Sequence, residues 1–162
     1  MPKIVTHFWF DTQAEEAARF YVSLFKNSRI KAISRYPKSA EPVAGKATGS
    51  VMTVAFELDG QEYIALNGGP QFKFSEAVSL LVECESQEEM DRLWNKLIER
   101  GGEEQQCGWL KDKYGLSWQI SHVALEKLVY DPDPAKVDRM AQAMFSMKKL
   151  DVARLQQAAE GK

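Results

Sequence analysis

The side chains with the most reactive chemistry to offer are few. Two histidines, His7 and His122, and two cysteines, Cys84 and Cys107, occur in the chain. An imidazole takes and gives a proton near neutral pH and so serves as a general base. A thiol attacks only as its thiolate, which needs a base or a cation beside it. Cys107 precedes Gly108-Trp109 at a predicted strand edge, and His7 is the base that would activate it. The competing readings are a structural cysteine and a histidine packed within a strand. His122, between Ser121 and Val123 at a strand end, reads as a structural or exposed histidine. Two histidines are too few for a histidine-rich metal site, and no Gly-x-Gly occurs among the ten glycines, which excludes the usual dinucleotide fingerprint.

These residues must be placed by their elements. Residues 3–10 are β-branched and aromatic, Asp11-Thr12 offers a helix cap, and Ala14 to Phe25 has the spacing of an amphipathic helix. Strand patterns follow at 29–36 and 50–58, the second joined to 61–67 by Asp59-Gly60, a two-residue hairpin signal. After Asn67-Gly-Gly-Pro70 the order recurs. A strand at 77–83 leads to a helix capped by Ser86 and running to about Glu99, then to strands at 103–111 and 116–123 turned at Asp112-Lys-Tyr-Gly115. The two helices share a pattern: Glu15-Glu16-Ala-Ala-Arg19-Phe20-Tyr21-Val-Ser-Leu24 aligns without gaps on Glu88-Glu89-Met-Asp-Arg92-Leu93-Trp94-Asn-Lys-Leu97. An α+β domain over 1–123 is the reading, made of two β-α-β-β-β modules at about 3–70 and 71–123. Residues 124–162 form a helical C-terminal extension. Asp133-Pro134 starts one helix with Val137, Met140, Ala141, Met144 and Phe145 on a stripe, and Asp151 starts another with Val152 and Leu155. Those stripes must cover the back of the sheet or a partner subunit.

Each sheet buries one face under its helix and turns the other inward, so the two make a concave surface. Strand alternation then sorts the candidates. The cavity receives His7 and Trp9 from the first strand, Asn67, then Ser79, Gln119 and Ser121 from the second module, with Trp109 as aromatic wall. This is a neutral, hydrogen-bonding pocket.

Composition fits such a protein. Of 162 residues 44% are hydrophobic and 27% charged, the profile of a globular domain large enough to hold a core without disulfides. Neither a signal peptide nor a membrane span is expected, since no apolar run is long enough, and the expected location is cytoplasmic with reduced thiols. Twenty-one basic residues against 23 acidic ones, scattered, argue against nucleic acid and for a small-molecule ligand.

The repeat, the Ala14-Glu-Glu-Ala-Ala-Arg-Phe-Tyr segment, Leu66-Asn-Gly-Gly-Pro70, Cys107-Gly-Trp-Leu-Lys-Asp112 and Gly115-Leu-Ser-Trp-Gln-Ile120 resemble the PhnB-like branch of the vicinal oxygen chelate superfamily. More narrowly they resemble the group labelled 3-demethylubiquinone-9 3-methyltransferase-like, over about residues 3 to 150. The resemblance implies a glyoxalase/bleomycin-resistance/dioxygenase-type fold and a homodimer. In the superfamily's enzymes each module gives a metal ligand from the middle of its first strand and another from its last strand. Carried over, these positions fall near 5–7 and 77–79 and near Asn67 and Gln119. One imidazole, two amides and a hydroxyl are a poor donor set for a divalent transition metal, so no metal is expected. The methyltransferase label meets no glycine-rich loop of the doubly wound kind, and no cofactor is expected. The expected function is therefore metal-free binding of a small aromatic or apolar molecule. The alternative is an enzyme on such a ligand, an isomerase, a transferase or the methyltransferase of the label, with His7 or Cys107 as reactive group.

Overall fold

Thr-His-Phe-Trp-Phe at residues 6–10 favours extended backbone at every position. In the computed structural model, which describes all 162 residues, it forms β1 (Thr6–Phe10). The helix α1 (Ala14–Leu24) follows, then β2 (Arg29–Arg35), a short α2 (Glu41–Ala44), β3 (Val51–Leu58) and β4 (Gln61–Asn67). Their sheet runs β1-β4-β3-β2, with β1 parallel to β4 and the other pairs antiparallel. Asp59 and Gly60 both take positive φ between β3 and β4, as the predicted two-residue turn requires. Small residues on α1, Ala17 and Ala18, let the helix sit close on the sheet, with Tyr21 and Leu24 completing its buried stripe. Beneath it Phe8, Phe10, Val54, Phe56, Tyr63 and Ala65 are buried, and Tyr63 stacks on Phe8 and on Phe56 at 5.5 Å each.

The second unit repeats the plan. It holds β5 (Ser79–Cys84), α3 (Gln87–Ile98), β6 (Glu103–Glu104), β7 (Trp109–Lys111) and β8 (Ser117–His122), in the order β5-β8-β7-β6 with β5 parallel to β8. Ser86 Oγ accepts the Glu89 N–H at 3.2 Å, the cap its sequence position implies. Met90, Leu93, Trp94 and Leu97 are buried, three of them at the aligned positions of Ala17, Tyr21 and Leu24. Trp118 and Ile120 on β8 supply the sheet side of that core.

The predicted strand 103–111 is in fact two strands. Between them Cys107 and Gly108 take positive φ and leave the ladder. Their N–H groups donate instead to Met147 O at 2.8 Å and Lys148 O at 2.7 Å, so the C-terminal segment takes the hydrogen bonds a continuous strand would have used. That segment comprises α4 (Val123–Val129), α5 (Pro134–Phe145) and α6 (Val152–Ala159). Gln87 fastens it to the start of α3, its Nε2 donating to Leu150 O and its Oε1 accepting the Val152 N–H, both at 3.0 Å. Val152 and Leu155 of α6 are buried as their spacing predicts, and Ala159 is buried with them. The α5 stripe is covered only in part: Met140 is buried, while Phe145 stays 65% exposed. The chain divides into two compact units, Met1–Lys73 and Phe74–Lys162, and α4–α6 belong to the second. None of the helices is long and apolar enough to cross a membrane.

One end of the first sheet carries an ionic ladder. Glu57 and Glu62 lie opposite each other on β3 and β4. Arg29 and Lys31 pair with Glu57 at 2.9 and 3.1 Å, and Lys3 and Lys31 both bond Glu62. The hydrogen bond from Lys3, then that from Lys31, holds the Glu62 carboxyl at about 2, well below the usual carboxylate range. A carboxyl whose pKa is lower folded than unfolded contributes stability above its unfolded value and loses it as pH falls toward the folded one. Wild type should therefore lose more stability than Glu62→Gln as pH falls from about 4.5 to about 2, checked by urea unfolding at stepped pH. Equal losses would show the ladder to be inert.

Candidate functional site

Alternation along the two parallel strand pairs decides which side chains are free of the helices. In the first unit Phe8 and Phe10 point under α1, so His7 and Trp9 point away. Register puts Ile64 beside His7 and Leu66 beside Trp9, with Ala55 and Thr53 next across the sheet. His7 is exposed and the rest are half-buried, a largely apolar floor with one imidazole and a Thr53 hydroxyl bonded to Ser34, and Glu62 continues the β4 row beyond Ile64. Trp9 is fixed at the end of this row. Its Nε1 donates to Gly69 O at 2.8 Å and its ring lies against Gly68, where a Cβ would collide with the indole. Phe72 meets the ring edge-on, centroids 4.9 Å apart and planes at 77°. The Asn67-Gly-Gly-Pro70 loop is thus shaped by an indole.

Asn67, expected in the cavity, is a correction. Its register partner is Phe10, so it lies on the helix side, buried. Its Oδ1 accepts the Ala14 N–H at 2.8 Å and its Nδ2 donates to Val51 O at 3.1 Å, while Tyr36 Oη donates to the Asn67 carbonyl at 2.6 Å. Asp11-Thr12 does not cap α1: the N-cap residue is Gln13, and its side chain makes no capping bond. The acceptor comes from Asn67, at the far end of the unit in sequence, because β4 ends beside the helix start. Gln119's counterpart by register is consequently Ile64, not Asn67.

In the second unit Leu80 and Val82 pair with the buried Trp118 and Ile120. Ser79, Leu81 and Glu83 therefore share the helix-free face with Ser117, Gln119 and Ser121, and Trp109 joins them opposite Gln119. Gln119 Nε2 donates to Ser79 Oγ at 2.9 Å. Leu81, beside Gln119, is 55% exposed. Ser117, the register partner of Ser79, is fully buried and its hydroxyl has no hydrogen-bond partner, an unusual loss for a folded protein. Leu81, Ile64, Leu66 and Phe72 are site-face residues that reading for reactive types passed over. The paired glycines beside Trp9 were the available signal for Phe72.

The reactive candidates are placed as follows. His7 belongs to the first unit and Cys107 to the second. Cys107 lies outside the strands, half-buried, in the turn that receives Met147. Cys84 faces α3 at 1% exposure, and burial pushes its thiol up to about 12. His122 Nδ1 accepts the Ala124 N–H at 3.0 Å and so caps α4, a structural role.

Residues 2–121 match the model of the 3-demethylubiquinone-9 3-methyltransferase family. The chain belongs to this family. A PhnB protein of Bacillus cereus is 37% identical, with a TM-score of 0.66, three quarters of this chain accounting for the whole of that one. A protein of Pseudomonas aeruginosa, 21% identical over 75% of this chain and 98% of its own, shares the fold with a TM-score of 0.61. No curated protein matches the chain. Family membership raises two groups that the residues must fit. A divalent metal of the superfamily kind would find His7 with Ile64 in one unit and Ser79 or Leu81 with Gln119 in the other, and no three His, Cys, Asp or Glu side chains are grouped to hold an ion. Hydrocarbon and neutral amide do not offset the dehydration of such an ion, so this donor set does not fit it. S-adenosylmethionine of the doubly wound kind fits no better. The sheets are mixed, and Asp11–Gln13 between β1 and α1 contains no glycine to cradle it.

Two outcomes follow. Asn67→Leu should destabilise the protein by about 2 kcal/mol in urea unfolding, since it strands the Ala14 N–H and the Val51 carbonyl. A thiol reagent on the native protein should modify Cys107 and reach Cys84 only after unfolding, read by mass spectrometry of the labelled peptides.

Proposed function

We propose that this family member binds a small, neutral, largely apolar molecule on its helix-free sheet faces, without a metal and without a reactive group of its own. The observation that carries the reading is the Gln119–Ser79 pair. Its hydrogen bond leaves the Gln119 amide oxygen and the Ser79 hydroxyl proton available beside exposed Leu81 and half-buried Trp109. Ligand pockets have this character, apolar surface with a few convergent polar groups that orient the guest. His7 and Trp9 over Ile64 and Leu66 give the first unit a face of the same kind. The homodimer implied by the superfamily resemblance belongs to this reading.

The test is a thermal-shift panel of phenols, quinones and other neutral aromatics against wild type, with calorimetry on the hits. Bound compounds should raise the melting temperature, because a ligand of the native state alone stabilises it. Gln119→Leu should weaken them about tenfold, the worth of one hydrogen bond of ordinary strength, with affinity measured by calorimetry well below the variant's own melting temperature so that loss of the Ser79 bond is not counted as lost binding. Absence of any shift across the panel would sink the reading.

A further inference from the structure

We infer that the first unit selects planar aromatic ligands through Trp9 and Phe72, with Phe72 as the residue that reads the ring. The inference rests on the ligand-binding reading and adds the ligand's class. Phe72 is 65% exposed, yet it is not an idle surface phenyl: it stands edge-on to Trp9 in the geometry two aromatic rings prefer. Trp9 cannot yield. Its N–H is bound to the Gly69 carbonyl and its ring is seated on Gly68, so it offers a guest only carbon surface at a fixed angle. A fixed indole and an exposed phenyl at 77° make a corner whose walls are both π surfaces.

The floor beside this corner sets the rest of the ligand. His7 lies two residues back on the same face of β1, about 7 Å along the strand, roughly one ring and a substituent away. Ile64 and Leu66 lie next to it and are apolar. An ionic ladder of Glu57, Glu62, Lys3, Lys31 and Arg29 shares this face, two residues along β4 from Ile64 and four from Leu66, and bounds the floor on the side away from Trp9. Beside Trp9 on the strands stand Leu66 and Thr53, whose hydroxyl is bonded to that of Ser34, so the imidazole of His7 is left on this floor to bond a hydroxyl or carbonyl on the ring. A neutral phenol-like or naphthol-like molecule matches these elements.

Calorimetry with 2-naphthol and with decahydro-2-naphthol, its saturated counterpart bearing the same hydroxyl, separates aromatic selection from plain hydrophobic uptake. Wild type should prefer 2-naphthol. Phe72→Leu, which keeps apolar bulk at an exposed position, should weaken 2-naphthol about three- to tenfold and leave decahydro-2-naphthol unchanged. Equal affinity of wild type for the two probes, or an unaltered 2-naphthol affinity in Phe72→Leu, overturns the inference while the ligand-binding reading stands. Wild type binding neither probe overturns the inference too, and the reading falls with it only if the wider panel also gives no shift.

Discussion

In both units the first and last strands lie side by side and parallel, and the register of that pair is the constraint from which the rest follows. With β1 against β4, Phe8 and Phe10 share a row with Ala65 and Asn67 under α1; with β5 against β8, Leu80 and Val82 share one with Trp118 and Ile120 under α3. A slip of one residue in any of these strands would turn that strand's core residues outward and bring its other row, His7, Ile64, Leu81 or Gln119, under the helix. Burying one large apolar side chain is worth about 1.5–3 kcal/mol, so a slip would forfeit several such contributions at once and bury polar groups in their place. The helix side thus holds the register, and the free side inherits its composition without having to contribute to it.

The order of elements was legible because its signals are local. Periods of two and 3.6, the Asp59-Gly60 turn, and the Ser86, Asp133 and Asp151 caps each act within a few residues, and each caps or turns where its spacing says. The faces were legible wherever one row was plainly more apolar, as with Phe8 and Phe10. Asn67 defeated that reasoning. It ends a row whose other members, Tyr63 and Ala65, are core, and an amide in that row looks like an inward-facing polar group until the partner of the Ala14 N–H is known. The break at Gln105–Gly108 was hidden for the same reason, since the groups that end the strand, Met147 and Lys148, lie some forty residues on. Long-range hydrogen bonds leave no periodicity to find.

The C-terminal helices show how much such bonds can attach. The family's own model ends at residue 121, and the similar Bacillus cereus protein is matched in full by three quarters of this chain. Yet α4 begins at Val123 without a linker, its first turn capped by the last side chain of β8, His122. The extension then returns to the β6–β7 turn through two backbone bonds and to α3 through both ends of the Gln87 amide. Few side chains are needed, because backbone groups freed from one ladder serve the next segment.

On the free rows the chemistry is equally economical. Where the superfamily's enzymes place metal ligands, these rows hold one imidazole, one amide and two hydrocarbon side chains, and the amide is already bonded to Ser79. Coordination therefore contributes little to any recognition there, and the acidic groups on the first unit's face, Glu57 and Glu62, are already paired with Lys3, Lys31 and Arg29. What remains is shape, desolvation of apolar surface and a few hydrogen bonds, and such recognition discriminates by how rigidly its surfaces are held. This gives the glycines beside Trp9 a functional weight that reactive residue types do not reveal. A side chain at Gly68 would displace the indole, and with it an aromatic surface on the free face whose position is fixed by both a hydrogen bond and a packed backbone.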